Sequence, residues 1–426
     1  MAPTGLSAVF PGRFVVVLDG GMGTTLQAPP FDLGLDSALW SSELLADEAG
    51  REQLKRLHQA WIDAGADIVE TCTYQSSLPL FLPSSPPYSA TTLSSAKSTM
   101  LSALPLATSC CHDAASSASS SAGSKPVTAL SLGPYGSSLQ PGQEYGGHYP
   151  SPFSPSGADA AYPQPLSQPA AASSALQAVP LPLDAVRLPN QPEDETHLAA
   201  WHLQRLTDFA ASEAFGAVPL LAFETIPVLA EARAIRRAVA ALASSSAPAK
   251  PFWLSFVFPA TSSGDGVAFP DPSPSFFSLA SAPLSAQCAA IVEAAFTPFE
   301  GHATPAAIGL NCTSPIHAAE VVQALTEARV AFASTASEQK DGGEDTKPWL
   351  VLYPDGGAQY DVVTRTWSNP LGLTDNKWAV LVADAAGVAR ASGAWGGVVV
   401  GGCCKAGPGA IRALREEVER RGWAGR

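Results

Sequence analysis

Short apolar runs recur eight times along this chain, and nearly all of them stop at glycine, cysteine, tyrosine or a carboxylate. The runs are 14–18, 66–70, 126–132, 218–223, 252–257, 306–310, 349–353 and 397–401. Each is the length of a buried strand. Stretches with helical spacing lie between them, at 43–64, 195–213, 228–244, 316–333 and 374–392, and Thr91–Leu104 is a further candidate. Strands alternating with helices give a parallel sheet. Eight such units close into a (β/α)8 TIM barrel, an α/β fold that takes about 250 residues before insertions. A doubly wound open sheet is the rival. The barrel is preferred because reactive residues follow almost every run, as they do where a ring of loops builds one site.

The chain has 426 residues, and the excess over a minimal barrel falls in four stretches. Those near 81–125, 150–192 and 259–285 are loop-rich, the first two Ser-, Pro- and Ala-rich, and the one at 335–347 is charged. They read as low-complexity loop insertions in a single domain spanning 1–426, with Ala114–Ser124 the most biased segment.

The strongest chemical signal is in the last strand. Val398-Val399-Val400 runs into Gly401-Gly402-Cys403-Cys404, and Ile308-Gly309-Leu310-Asn311-Cys312 has the same layout. If both strands share one sheet, three sulfurs converge beyond its carboxyl edge. Three thiolates and one open position describe a catalytic rather than a structural zinc site. Inert buried thiols are the bland alternative, but a Gly-Gly turn exposes the side chains just after it. Cys110-Cys111-His112 sits beside low-complexity sequence and reads as part of a solvated insert.

Asp19-Gly20-Gly21-Met22-Gly23 follows the first run. It has neither the G-x-G-x-x-G spacing nor a P-loop lysine. It reads either as a tight turn or as a cradle whose amides hold a small carboxylate while Asp19 holds an ammonium group. Glu224, at the end of another run, is the second partner for that ammonium, since a carboxylate there is costly unless paired. Tyr74, Tyr135, Tyr145 and Tyr353 read as post-strand residues whose ring faces suit a cation. His202 and Arg205 lie in a helical stretch and read as surface or supporting residues.

Net charge is −14, which disfavours nucleic acid and anionic membranes as partners. No apolar stretch of about 18 residues is present, so no membrane span is expected. Seven cysteines, without a basic and apolar leader, point to reduced thiols and a cytosolic location. Oligomeric state is left open.

These motifs together resemble the homocysteine S-methyltransferases that use S-methylmethionine or S-adenosylmethionine. The matching stretches are Leu18–Thr24, Asp36–Ser41, Thr73–Gln75, Gly133–Gly136, Pro141–Tyr145, Phe223–Pro227, Gly309–Thr313, Tyr353-Pro354 and Gly401–Cys404. The resemblance implies methyl transfer from a sulfonium donor to the thiolate of L-homocysteine, giving methionine. It implies zinc on Cys312, Cys403 and Cys404, which are also the catalytic residues. It further implies substrate contacts from Asp19, Gly20, Gly21, Glu224, Thr225 and Asn311, with donor contacts from Tyr74, Gln75, Tyr135 and Glu144. Cys72 replaces a frequent Asn, and Asp355-Gly356-Gly357-Ala358-Gln359 replaces the usual Asn-Ser-Gly-Glu. The alternatives are another donor such as betaine on the same fold, or a non-catalytic zinc or thiol sensor.

Overall fold

The computed structural model describes residues 5–82, 92–116, 125–154, 180–245, 248–272, 279–335, 347–361 and 366–423. Its strands are β1 (Val15–Val17), β2 (Ile68–Glu70), β3 (Val127–Leu132), β4 (Leu220–Ile226), β5 (Phe252–Phe256), β6 (Ala307–Asn311), β7 (Trp349–Tyr353), β8 (Gln359–Asp361), β9 (Thr366–Ser368) and β10 (Val398–Val400). Strands β8 and β9 form a separate antiparallel hairpin. The other eight form one parallel sheet in the order β1-β10-β7-β6-β5-β4-β3-β2. A parallel bridge between Leu18 and Ile68 joins its two ends, so the sheet closes into a (β/α)8 barrel.

Alternation along each strand sorts side chains into two layers. Val16 and Val399 point inward with Leu220, Trp253, Trp349 and Val351, and the short helix Leu6–Val9 covers this interior with Leu6 and Phe10. Val15, Val17, Val398 and Val400 point outward against the surrounding helices. That two-sided burial explains why the strands read as unbroken apolar runs.

Several sequence expectations change in detail. Strand β4 extends through Glu224 and Thr225 to Ile226, with a register shift between Phe223 and Ile226. The bulge lets polar residues sit within the strand and still face the mouth. Tyr353 is the last residue of β7 and lies inside the barrel. The described part of the 81–125 stretch is largely helical: the candidate helix at Thr91–Leu104 is present as Leu93–Leu101, and a further helix, Ala103–Ser116, follows it with Ala103, Leu104, Leu106 and Ala107 buried. Cys110 and Cys111 are therefore core residues on a helix, 8% and 5% exposed, and only His112 of that trio faces solvent. Small Ala and Ser side chains hid this face from a reading based on large apolar residues. Most of Ala114–Ser124, and much of the 150–192 and 335–347 stretches, lie outside the described residues. No helix among the described residues is long and apolar enough to cross a membrane.

The β1–β2 seam has only one bridged pair, and a side chain reinforces it. Asp67 accepts from the Val17 amide at 2.8 Å, from both terminal nitrogens of Arg13 at 2.7 and 2.8 Å, and from Arg415 at 2.5 Å. Burial raises the Asp67 pKa, but Arg415 and Arg13 outweigh it and hold the carboxyl below its ordinary range. A depressed folded-state pKa gives stability that is present above the unfolded value, about 3.9, and is lost as pH falls through the folded value. Asp67→Asn is therefore expected to lower stability at neutral pH by about 1.5–3 kcal/mol. The gap from wild type should close below about pH 4. Thermal melts across pH check this; a gap that stays constant down to the acid limit would show that the carboxylate charge is not what holds the seam.

Candidate active site

The carboxyl ends of β1, β6 and β10 bring the predicted sulfurs together. The Sγ atoms of Cys312, Cys403 and Cys404 all lie within 4.8 Å of one another, and this is the one such group of metal-binding side chains among the described residues. Cys312 follows β6 and the cysteine pair follows β10, with β7 between them in the sheet. The turn after β10 has to come close to the turn after β1, and glycine makes that possible. A Cβ on Gly20 would lie 2.2 Å from the Ala406 carbonyl oxygen, and one on Gly21 would lie 2.4 Å from that of Cys403. The Gly402 amide donates to the Asp19 carbonyl and the Gly21 amide to the Ala406 carbonyl, both at 3.0 Å. The Gly21 N–H is thus engaged within the protein, and the double glycine acts first as the surface on which the cysteine loop rests.

The expectation of reduced thiols meets one exception. Cys312 and Cys403 are joined as a disulfide, with Cα atoms 5.4 Å apart. The convergence that makes a metal-binding triad also brings two of its members within the range a disulfide spans. Zinc binds thiolates, so the metal-competent form of this triad is the reduced one. In donor type and spacing the three residues fit a zinc site built from three thiolates.

Asn311 locks the backbone beneath the sulfurs. Its side-chain oxygen accepts from the Thr225 amide at 2.8 Å, and its amide nitrogen donates to the Thr225 hydroxyl at 2.7 Å. Thr225 and Cys312 both have left-handed backbones, with φ of 58° and 46°. Such conformations cost about 1–3 kcal/mol each and persist only where surroundings fix them.

Carboxyl groups gather around the sulfurs. Asp19 is 1% exposed and Glu224 5%. Burial raises both, Asp19 well above its ordinary range and Glu224 to about 7. Ser131 donates to Glu224 at 2.5 Å. Burial also raises Glu144, and Asp355 to about 7, and their negative charges add to the burial that pushes the Cys404 thiol to about 12. Tyr74 lies against this group: its hydroxyl contacts Thr225, and its environment includes Glu144, Glu224 and Cys404. The Gln75 side chain donates to the Ser137 carbonyl at 3.4 Å. Tyr145 is 43% exposed at the rim and its hydroxyl reaches Cys404. Tyr135 stacks on Phe153 at 4.0 Å, so its ring is spent on packing. Cys72 is buried, with its thiol pushed to about 12, and stands outside the sulfur triad.

Two residues read from sequence as surface or supporting are fully buried. His202 and Arg205 are 1% and 3% exposed. His202 contacts Glu231 at 2.9 Å; Glu231 also accepts from the Tyr149 hydroxyl at 2.5 Å and the Tyr135 amide at 2.6 Å. Arg205 donates to four backbone carbonyls of the loops after β2 and β3. A signal was present in the sequence. Leu198, His202, Arg205, Leu206 and Phe209 recur at three- and four-residue spacing, so both polar residues share the apolar face of one helix.

Residues 16–418 match the family model for homocysteine S-methyltransferase. The homocysteine S-methyltransferase YbgG of Bacillus subtilis is 27% identical over 405 residues, spanning 94% of this chain and 93% of that protein. Homocysteine S-methyltransferase 1 of Arabidopsis thaliana is 24% identical over 411 residues, spanning 95% and 94%. The fold is similar to that of the Escherichia coli homocysteine methyltransferase MmuM in its metallated form, with a TM-score of 0.56 and 22% identity over 97% of this chain and 99% of the other. The oxidised form of the same protein matches with the same TM-score and 21% identity.

Proposed function

This chain belongs to the homocysteine S-methyltransferase family, and from that premise we propose that it transfers a methyl group from a sulfonium donor to the sulfur of L-homocysteine, with zinc as its metal. The observation that carries the proposal is the triad of sulfurs within 4.8 Å, ringed by carboxyls and tyrosine at one barrel mouth. Cys312, Cys403 and Cys404 would hold the zinc. When bound, zinc keeps an acceptor thiol deprotonated at neutral pH, where a free thiol with pKa near 8.5 is mostly protonated.

The protein's own residues do the rest. Asp19 and Glu224 receive the ammonium of the amino acid, which relieves the cost of burying two carboxyls. Asn311 fixes Thr225 and, through the backbone, Cys312. Glu144, Asp355 and the face of Tyr74 give the donor side a negative environment suited to a sulfonium, S-methylmethionine or S-adenosylmethionine. A sulfonium is already an activated methyl donor, so the reaction needs alignment of two sulfurs rather than a dedicated base. Alignment of that kind is worth about 7–11 kcal/mol at most.

A donor panel with homocysteine as acceptor tests this reading. Turnover with a sulfonium and little with betaine is expected; betaine as the sole productive donor, or no methyl transfer at all, would overturn it. The amino-acid assignment has its own test. Glu224→Gln is expected to weaken homocysteine binding by about 1.5–3 kcal/mol, the worth of one charge-assisted hydrogen bond. Metal content should be unchanged, because Glu224 is not among the sulfur ligands. Titration beside metal analysis decides the matter; wild-type affinity or a loss of metal would remove Glu224 from that role.

A further inference from the structure

The mouth of the barrel holds one carboxyl more than this mechanism uses. Glu70 ends β2, and its amide donates to Asp19 Oδ2 at 2.8 Å. Its side chain is in hydrogen-bonding contact with the carboxyl of Glu224. Three acidic side chains from β2, β4 and the turn after β1 therefore share one space at the mouth, Asp19 and Glu224 buried and Glu70 partly buried. Two oxygens in it, Asp19 Oδ1 and Glu70 Oε1, are buried with no hydrogen-bond partner, and Asp19 is itself 1% exposed.

The Tyr74 hydroxyl lies within range of Glu224 and the Cys111 thiol within range of Asp19, and burial raises both, so neither brings a charge at neutral pH. Ser131 donates to Glu224, and the Tyr353 hydroxyl lies beside the same carboxyl. His58 lies at the Glu70 backbone, and burial lowers its pKa to about 4, so it brings no charge at neutral pH. Arg205 is the cation that stabilises Glu224, but the hydrogen bonds of its guanidinium run to carbonyls. Two carboxylates in direct contact in a buried site do not both ionise; such a pair shares one proton.

We propose that Glu70 carries the proton of a Glu70–Glu224 pair and so sets the mouth to select a ligand bearing one ammonium group. The charge balance supports this. With an ammonium bound against them, Asp19 and Glu224 are ionised and Glu70 is neutral, so two negative charges face the ligand. The cations set against them are one bound ammonium and Arg205, and Arg205 also faces the buried carboxyl of Glu231. An ionised Glu70 would add a further negative charge beside Glu224 and Asp19 that neither cation is left to match. As a neutral acid, Glu70 donates to Glu224 and keeps it ionised as an acceptor for the ammonium. Glu70 is thus a specificity-determining residue, and the proposal rests on the reading of Asp19 and Glu224 as the amino-group site.

The test is calorimetric titration of the reduced, zinc-loaded protein with L-homocysteine and with its deamino analogue, sulfanylbutanoate. Glu70→Gln keeps a neutral donor and should bind homocysteine within about threefold of wild type. Glu70→Leu removes the donor that favours ionised Glu224, so Glu224 is held less firmly in the form that accepts from an ammonium. Homocysteine affinity should then fall at least about tenfold while affinity for the analogue holds, and the preference between them should shrink equally. A Glu70→Gln variant as weak as Glu224→Gln would show that Glu70 is ionised, and an unchanged preference in Glu70→Leu would show a bystander; either overturns the proposal. If wild type binds the analogue as tightly as homocysteine, the ammonium reading of Asp19 and Glu224 fails first, and this proposal with it.

Discussion

Alanine at Cys312, Cys403 or Cys404 is expected to remove both zinc and methyl transfer. The three sulfurs converge from two strand ends, and each supplies one donor atom. With two thiolates left, the site no longer supplies the three protein ligands of a catalytic zinc. The size of the effect can be built up. A thiol of pKa near 8.5 is only about 3% thiolate at pH 7, so losing metal-assisted ionisation alone costs roughly 30-fold. Lost positioning of the acceptor multiplies this, and a combined fall on the order of 10³ or more is expected. Metal content gives a readout that does not depend on turnover. It is measured on reduced protein, because the Cys312–Cys403 bond occupies two of the donors. Cys110→Ala and Cys111→Ala are the controls. Both sulfurs lie on the helix Ala103–Ser116, where Cys111 accepts from Thr128 at 3.4 Å, and neither joins the triad. A triad variant with full metal content and turnover would strike that residue from the ligand set, and loss of metal from either control would overturn the assignment of the site.

What the sequence showed and what it hid have different physical origins. The barrel was legible because its strands are buried on both faces, so Val15–Val17 and Val398–Val400 appear as β-branched runs with no polar interruption. The sulfur triad was legible because a strand followed by glycine and cysteine reports its own geometry. Asp19 and Glu224 were legible as charges in costly places. Glu70 was not, because a carboxylate closing a strand reads as its solvent-facing end until the neighbouring strands are placed. The bulge in β4 was hidden for a related reason. Register depends on pairing between strands far apart in sequence, and it carries β4 past Glu224, which read as lying at the strand's end. Gly20 and Gly21 read from sequence as a tight turn or a ligand cradle, and the close carbonyls of Ala406 and Cys403 give the turn its reason. Arg205 read from sequence as either surface or supporting, because a charged residue on a helix is usually solvated, and only its partners decide for the supporting role.

Those partners make Arg205 the second residue whose loss should be severe. It projects from the helix Glu193–Ala210 into the gap between two loops. Nε donates to the Ser76 carbonyl at 2.6 Å and Nη1 to that of Gly133 at 2.8 Å, while Nη2 reaches those of Thr73 and Tyr74, both at 2.6 Å. The Trp201 ring covers its flank, 5.4 Å from Cζ. Burial lowers its pKa to about 9, which still leaves a cation at neutral pH. One planar group thus fixes the loop after β2, which carries Tyr74 and Gln75, to the loop after β3, which carries Tyr135. In Arg205→Ala the Thr73 and Tyr74 carbonyls keep the backbone amides of Ser76 and Gly133, whereas the Ser76 and Gly133 carbonyls lose the donor that Arg205 supplied. At about 1–3 kcal/mol for each unsatisfied group, a loss on the order of 4 kcal/mol is expected once the emptied volume is counted as well. Arg205→Lys separates stability from function. Lysine keeps the charge that favours ionised Glu224, but a single ammonium has three donors and no fork, so it cannot bridge both loops. That variant should fold and keep its zinc and its homocysteine affinity within a few-fold, while KM for the methyl donor rises at least about tenfold. If Arg205→Ala melts like wild type, the carbonyl clamp contributes nothing to stability. If Arg205→Lys loses donor and homocysteine binding together, the clamp supports the whole mouth rather than the donor side.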